Sequence, residues 1–407
     1  MSAAPPARTV GLIGNFGTGN LGNEASLEAM HRFLRAARPH DRIVCVCPEP
    51  EVAAREHRMP ALPMYWSGFR TPWARALNRA LLKLPGKAMD FLLTLRRVGR
   101  FDILIVPGTG IFCDFMDSPN GMPYRLFKWS VAARMRGVPT AFASVGAEPV
   151  RNPASRRLLM AAARLAAYRS YRDDISRRCM ADAGIDVSAD GVFPDLAFGL
   201  PRGRPAGRVD PDVVCVGVMD YRGWDGHGPQ GDEVYAAHIA RVRRLVEGLL
   251  DRGRRVRLVI GQESDRRAVA DVREAVAAAR PGLEDGRLTA EPAATLLELM
   301  DQMRDAGAVV ATRFHNIVCA MMAGRPAVSF GYSPKNAALM EDFGLGAFCQ
   351  DVEAADPDAL LDLVDRVMDE GHEAAIGRRL EGYDAALRVQ GTQLLALLTP
   401  NGRPRRR

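Results

Sequence analysis

Short apolar runs that end in glycine recur along this chain, and most are followed by a stretch with helical periodicity. The run Thr9–Gly14 (TVGLIG) precedes such a stretch, and Phe101–Gly108 (FDILIVPG) repeats the arrangement. The alternation begins again in the second half, with the runs Asp212–Met219 and Arg255–Gly261. Strands that alternate with helices are typical of a parallel sheet covered by helices. The sequence therefore predicts an α/β fold.

The chain is long enough for more than one domain. It has 407 residues, of which 47% are hydrophobic, whereas one domain commonly holds about 100–200 residues. Residues 200–211 are dense in proline, glycine and arginine and interrupt the periodicity, as an inter-domain linker does. We predict two doubly wound domains that face a cleft, at 1–199 and 212–372, followed by a C-terminal helix and basic tail at 373–407.

The net charge of +7 comes mainly from arginine that is spread along the chain. A well-solvated surface is the ordinary interpretation, and attraction to anionic substrates or to an anionic membrane surface is the alternative. The sequence has no zinc-finger spacing, RNA-binding aromatic motif or heptad-plus-basic pattern, which argues against a nucleic-acid partner. The oligomeric state is not predicted.

Cysteine usage and apolar run lengths indicate the compartment. Seven cysteines occur without a C-x-x-C pair, which argues against a disulfide framework and a structural zinc site. Neither a secretory signal pattern nor a run of eighteen apolar residues is present. We expect a cytoplasmic protein that needs no metal and no redox cofactor, with contact at the inner face of the membrane left open.

Residues 70–100 depart from the regular alternation. Apolar residues, among them Trp73 and Leu77, are mixed there with eight arginines and lysines. One interpretation is a helix that covers the edge of the sheet. The other is an interfacial helix that docks the protein on a membrane.

The loop after the first strand is the most informative segment (GNFGTGNLGNE). Its four glycines allow a backbone to approach a ligand closely, and the following helix offers free N–H groups to an anion. The spacing matches neither the dinucleotide fingerprint nor a phosphate loop. A strained turn and a ligand site both stay open. The candidate residues are Gly14, Asn15, Gly17, Gly19, Asn20, Gly22 and Glu24.

A second glycine turn, with Gly108 and Gly110, follows the strand FDILIVP. Because the carboxyl ends of parallel strands lie at one edge of a sheet, we expect both glycine turns to line the same cleft.

Four charged or titratable residues lie near predicted strand ends. Arg172 either holds a phosphate or carboxylate or forms an internal ion pair, with Asp173 as a helix N-cap. Arg313 and His315 lie where a strand meets a helix, and alternation would direct both side chains to one side. A histidine in that position favours acid–base chemistry. Lys335 follows the next strand and suits an anion.

Together these segments resemble the polysaccharide pyruvyl transferase family. The shared features are GNFGxGNLGNEA after the first strand, RDxxS at Arg172–Ser176, Pro194-Asp195, RFH at Arg313–His315, AGRPAV at 323–328, YxxK at Tyr332–Lys335 and FGL at 343–345. Asn23 replaces the acidic residue that usually precedes Glu24, and Pro107-Gly108-Thr109 replaces the usual triple glycine.

The resemblance implies a GT-B-like pair of Rossmann-like domains and a transferase of cell-surface polysaccharide biosynthesis. Phosphoenolpyruvate would be the donor, and a sugar or glycolipid would be the acceptor. His315 would act as acid and base, and Arg172, Arg313 and Lys335 would hold the anionic donor, with the second domain as the donor side. The glycine loops would shape the acceptor side, with Glu24 either orienting a sugar hydroxyl or capping the helix.

Two other classes fit the same pattern. One is a nucleotide-sugar glycosyltransferase of the GT-B type, for which Glu341-Asp342 is the candidate ribose contact. The other is a non-catalytic glycan-binding relative. The presence of Arg313, His315 and Lys335 together argues against that class.

Overall fold

The computed structural model describes residues 7–114, 117–203, 208–223 and 226–399. By contacts between Cα atoms, the chain forms two compact units. The first holds the chain up to Thr18, Ser26–Leu196 and the chain from Ala386 onward, and the second holds Gly19–Ala25 and Ala197–Ala385. Part of the predicted linker (204–207) and the basic tail (400–407) lie outside the described residues.

The first unit is built on a seven-stranded parallel sheet. Its strands are β1 (Thr9–Ile13), β2 (Arg42–Cys47), β3 (Ala61–Pro63), β4 (Ile103–Pro107), β5 (Thr140–Val145), β6 (Tyr168–Tyr171) and β7 (Gly191–Val192). They lie in the order β3-β2-β1-β4-β5-β6-β7. All residues of β4 and β5 are buried, as is usual for strands that are covered on both faces.

Helices follow most of these strands. They are α1 (Leu21–Ala37), α2 (Pro50–Glu56), α3 (Pro72–Ala80), α4 (Leu84–Val98), α5 (Met122–Arg136), α6 (Pro153–Arg164) and α7 (Asp174–Asp182). The first five residues of α1, Leu21–Ala25, are grouped with the second unit. The amphipathic stretch predicted over 70–100 is therefore two helices. The break falls at Leu82 and Lys83, whose φ angles of 52° and 62° are left-handed and cannot continue a right-handed helix.

The second unit has a six-stranded parallel sheet. Its strands are β8 (Asp210–Gly217), β9 (Arg255–Val259), β10 (Leu288–Thr289), β11 (Ala306–Ala311), β12 (Ala327–Gly331) and β13 (Cys349–Asp351), in the order β10-β9-β8-β11-β12-β13. Its helices are α8 (Pro229–Asp251), α9 (Arg266–Ala279), α10 (Leu296–Met303), α11 (Phe314–Met322), α12 (Pro334–Asp342), α13 (Pro357–Glu370) and α14 (Glu373–Leu397), the last of which continues into the first unit.

Both sheets are doubly wound, so the predicted α/β fold is confirmed. Strand order reverses direction between β1 and β4 in the first unit and between β8 and β11 in the second. Ligands of such sheets bind outside the carboxyl ends of the strands at this point of reversal. The turns at Gly14 and Gly108 follow β1 and β4, and the segment from Arg313 to His315 follows β11.

Among the described residues, no helix has both the length and the apolar character that are required to cross a bilayer.

Candidate active site

A buried carboxylate joins three strand ends in the second unit. Both oxygens of Asp265 accept hydrogen bonds from Arg313, whose Nε and Nη2 lie at 2.6 Å. The same carboxylate accepts from the backbone N–H groups of Asp220, Gly261 and Gln262 at 3.0–3.2 Å. These residues follow β8, β9 and β11, so Asp265 holds the edge of the sheet at its point of reversal.

The charge of Arg313 is maintained by this pairing. Burial alone would lower the pKa of Arg313, but the adjacent Asp265 carboxylate more than offsets it, and the net shift is upward. Asp265 is fully buried and Arg313 is mostly buried. The guanidinium is therefore a fixed positive group in a place of restricted water access.

The imidazole of His315 rests on the backbone of Gly22. Both residues belong to the second unit. A Cβ atom added to Gly22 would lie only 2.0 Å from Nδ1 and 2.1 Å from Cε1 of His315. Such distances are far inside van der Waals contact, so a glycine is required at this position for the ring to occupy it. The ring also makes an edge contact with Phe314, at 5.2 Å between centroids.

Asn20 fixes the backbone on which the histidine rests. Its Oδ1 accepts hydrogen bonds from the N–H groups of Gly22 and Asn23, both at 3.1 Å, as an N-capping side chain does. The N–H of Leu21 donates to the carbonyl of Gly261 at 3.3 Å. Of the two roles proposed for Glu24, capping thus falls to Asn20 instead, and Glu24 lies buried in the first turn of α1.

Lys335 lies in the first turn of α12, directly after β12. Its Nζ is 5.5 Å from the centroid of the Tyr332 ring, within the range of a cation–π contact. The next residue, Asn336, donates from Nδ2 to the carbonyl of Thr312 at 2.8 Å. This hydrogen bond connects the segments that follow β11 and β12, the strands whose ends carry His315 and Lys335.

Arg313 and His315 do not extend the strand, contrary to the alternation predicted for them. Helix α11 begins at Phe314, and Arg313 is its N-cap with φ −84° and ψ 141°. The two side chains therefore have different neighbours. Arg313 pairs with Asp265, whereas His315 packs on Gly22.

Arg172 belongs to the first unit, apart from Arg313 and Lys335 in the second. Its Nη1 donates to Asp195 at 3.2 Å, and its Nε lies 3.6 Å from Asp173. Burial alone would lower the pKa of Arg172, but the two carboxylates outweigh that effect, and the net shift is upward. Asp173 also caps α7, by accepting from the Ser176 N–H at 2.6 Å. The internal ion pair and the helix cap are therefore both present.

The glycine turns of the first unit are tightly packed. A Cβ atom at Gly14 would lie 2.4 Å from the ring of Phe16, which is fully buried. Gly108 has a φ of +56°, and a Cβ there would lie 2.5 Å from Oγ of Ser26. The following Thr109 also has a positive φ, +66°, although it is β-branched and buried. Strained backbone of this kind is often found at functional sites.

The remaining loop candidates differ in their surroundings. Gly17 and Gly19 both have positive φ angles, +76° and +73°. Asn15 is grouped with the first unit, and Gly19 with the second. Gly110 has open space where a Cβ atom would be added. The loop predicted to be one acceptor-side element is thus divided between the two units after Thr18.

Asp265 was not predicted as a site residue. It lies four residues after Gly261, which follows β9, in the sequence GQESD. A glycine shortly after an apolar run also marks the other candidate loops. The sequence did not reveal that this aspartate lies opposite Arg313, because 48 residues separate the two.

Residues 20–334 match the family model described as polysaccharide pyruvyl transferase. This chain belongs to the polysaccharide pyruvyl transferase family. The match covers most of the chain and includes Asp265, Arg313, His315 and the start of α12. No curated protein sequence matches this pyruvyl transferase family member.

Solved structures with similar folds come from sugar-modifying enzymes. The UDP-GlcNAc 2-epimerase of Neisseria meningitidis, bound to UDP-GlcNAc, has a TM-score of 0.57 and 10% identity, covering 96% of this chain and 99% of that one. The UDP-GlcNAc 2-epimerase of Methanocaldococcus jannaschii has a TM-score of 0.57 and 11% identity, covering 89% and 93%. The calicheamicin glycosyltransferase CalG4 has a TM-score of 0.51 and 14% identity, covering 98% and 100%. At these identities the likeness concerns the fold, which is GT-B-like.

Proposed function

We propose that this family member transfers the enolpyruvyl group of phosphoenolpyruvate onto two hydroxyls of a sugar in a polysaccharide or glycolipid, forming a cyclic ketal. The observation that carries the proposal is the cluster at the strand ends of the second unit. His315, which packs on Gly22, and Arg313, which pairs with Asp265, both follow β11, and Lys335 follows β12. This edge is the place where doubly wound sheets bind ligands.

The reaction requires one group that moves protons. Protonation of the methylene carbon turns it into a methyl group and makes the adjacent carbon electrophilic. One sugar hydroxyl adds to that carbon and loses its proton, which balances the proton consumed. A second hydroxyl then replaces phosphate, which leaves with the C–O electron pair and takes up the second hydroxyl proton.

His315 is the residue we assign to this proton transfer. An imidazole can accept the proton of the first hydroxyl and supply one to the methylene carbon near neutral pH. Its ring is held by Gly22 and Phe314, which limits the rotation that would otherwise move the reacting nitrogen.

The donor carries a phosphate and a carboxylate, so cations are needed. We assign direct contact with the donor to Lys335. This residue belongs to the first turn of α12, where the helix dipole also favours an anion. Arg313 contributes positive charge but already donates two hydrogen bonds to Asp265. Arg172 likewise pairs with Asp195. We therefore propose an electrostatic role for both arginines.

The first unit supplies the proposed acceptor side. The turns at Gly14 and Gly108 lie at the point of strand reversal in its sheet, and Thr109 there has strained backbone. We propose that these turns contact a sugar. Glu24, which is grouped with the second unit, is proposed to orient a sugar hydroxyl.

A nucleotide-sugar reaction is the second candidate, because the structural neighbours include enzymes bound to UDP-GlcNAc. The acidic candidate for a ribose contact was Glu341-Asp342. Asp342 accepts hydrogen bonds from Arg379 and from the hydroxyl of Tyr383, so its carboxylate is engaged within the second unit. This pairing favours the phosphoenolpyruvate reaction over the nucleotide-sugar one.

A thermal-shift titration separates the two candidates. A ligand that binds only the folded protein stabilises it by about 2.7 kcal/mol at one hundred times its dissociation constant. We expect phosphoenolpyruvate to raise the melting temperature of the wild type and of His315→Ala, with UDP- and GDP-sugars having no effect. Stabilisation by a nucleotide sugar alone would refute the proposed donor.

A further inference from the structure

A cluster of exposed apolar side chains covers one part of the first unit. Among the described residues, nine large hydrophobic side chains are strongly exposed, and seven of them lie within α3, α4 and the turn between these helices. Trp73 is 70% exposed and Leu82 is 81% exposed. The seven are Trp73, Leu77, Leu81, Leu82, Leu84, Met89 and Leu92. We call this set the apolar hairpin surface.

Helix α3 has three distinct faces. Trp73 and Leu77 are four residues apart, so they lie on the same side of the helix, and both are exposed. Ala74 is buried and marks the face that packs on the unit. Arg75 and Arg79 follow the same spacing on a third face and are exposed. At 3.6 residues per turn the apolar pair and the basic pair are centred about 160° apart, so they lie on opposite flanks of the exposed surface of the helix.

Helix α4 is held firmly on its inner side. Asp90 accepts a hydrogen bond from Lys128 at 2.6 Å and another from the Trp66 N–H at 2.8 Å. Thr94 and Val98 are buried. The Gly86 N–H donates to Oδ1 of Asn78, which connects α4 to α3. The inner sides of both helices are therefore held in place, and their apolar side chains face outward.

The surface is also positively charged. No acidic residue occurs between Arg58 and Met89, whereas Arg70, Arg75, Arg79, Lys83 and Lys87 do. The next acidic residue, Asp90, pairs with the buried Lys128. Interfaces between proteins are generally depleted of charge at their centre. A tryptophan, several leucines and interspersed cations instead match the pattern of helices that lie in a membrane interface.

We propose that the apolar hairpin surface docks this protein on a bilayer that contains anionic phospholipid. The leucines and Trp73 enter the boundary between headgroups and acyl chains, while Arg75, Arg79 and Lys83 contact lipid phosphates. The inference does not depend on the proposed reaction, because no residue of the second unit takes part.

The first experiment is flotation of the full chain with vesicles. We expect the protein to float with vesicles of equimolar phosphatidylcholine and phosphatidylglycerol, and far less with phosphatidylcholine alone. The variant Trp73→Ser/Leu77→Ser/Leu82→Ser should bind at least about tenfold more weakly, because the side chains that insert are lost. The control Met135→Ser/Val389→Ser removes two exposed apolar side chains elsewhere and should bind as the wild type does.

The charge contribution is tested with matched arginines. Each basic residue near an anionic surface strengthens binding about fivefold, so Arg75→Gln/Arg79→Gln should bind roughly 25-fold more weakly. Arg157→Gln/Arg178→Gln removes the same charge from exposed positions elsewhere in the first unit and should leave binding unchanged. Equal loss in both pairs would overturn docking by this surface.

Two further results would overturn the proposal. One is wild-type protein that does not float with either vesicle. The other is a serine variant that floats normally but changes from an oligomer to a monomer in sedimentation, since the surface would then bind a second copy of the chain.

Discussion

The contact between Gly22 and His315 allows a sharp test that needs no ligand. Replacing Gly22 by alanine adds one methyl group 2.0 Å from Nδ1 of His315, so the ring must leave its position or the backbone must shift. Overpacking of this kind costs about 1–3 kcal/mol. Residue 22 lies in the first turn of α1, so any intrinsic preference for alanine over glycine there is the same with and without the His315 ring.

The two effects can be separated with a double-mutant cycle. In the His315→Ala background the ring is absent, so Gly22→Ala should be neutral or stabilising. Any helix-propensity gain from alanine is common to both backgrounds and cancels, so the difference between them should be about 1–3 kcal/mol. The free energies come from urea denaturation followed by circular dichroism, with the transition of the second unit fitted separately.

Gly382→Ala is the matched control for this cycle. Gly382 lies within α14, and a Cβ atom there would meet no atom within 4 Å. We expect it to stabilise by about 0.5–1 kcal/mol in both backgrounds. An equal cost of Gly22→Ala with and without the imidazole would refute the claim that Gly22 seats His315.

Three further predictions concern stability. Asp265→Asn leaves Arg313 buried without its carboxylate and should lower the free energy of unfolding by about 3–5 kcal/mol. The control Asp301→Asn breaks an exposed ion pair and should lower it by at most about 1 kcal/mol. Equal losses in urea denaturation would contradict this prediction. Burial lowers the pKa of His238 from 6.5 to about 4. The free energy of unfolding of the wild type should therefore fall by about 3 kcal/mol relative to that of His238→Phe between pH 6.5 and pH 4. Parallel curves of unfolding free energy against pH would refute this prediction. Gln390→Ala removes two hydrogen bonds to buried serine hydroxyls and should cost about 1–3 kcal/mol, whereas a change below that range would show that these bonds contribute little.

The long buried strands could be predicted from the sequence, because their apolar runs are nearly continuous and end in glycine. The short edge strands could not. Strands β7 and β10 contain two residues each, too few for any periodic signal. The helical periodicity over residues 154–168 predicts a longer helix than is found, because α6 ends at Arg164 and Tyr168 begins β6. Helix ends of this kind depend on tertiary packing more than on local propensity.

The candidate residues after β11 and β12 could be predicted from the sequence, whereas the residues that contact them could not. Arg313 and His315 stood out because they follow an apolar strand. Asp265 and Gly22 contact them from segments that lie 48 and 293 residues away in sequence, and a spacing pattern carries no information on such contacts. Gly22 and the imidazole of His315 come into contact only in the folded chain.

Calorimetric titration of phosphoenolpyruvate into three proteins tests the central claim most directly. The chain offers a matched pair of lysines, because Lys335 lies 5.5 Å from the ring of Tyr332 and Lys87 lies 5.3 Å from the ring of Tyr124. We predict that the wild type and Lys87→Met bind with equal affinity. Lys335→Met should bind about tenfold more weakly or worse, because a charge-assisted hydrogen bond is lost. Equal affinity in all three proteins, or binding of UDP-GlcNAc but not of phosphoenolpyruvate, would contradict the proposed donor site.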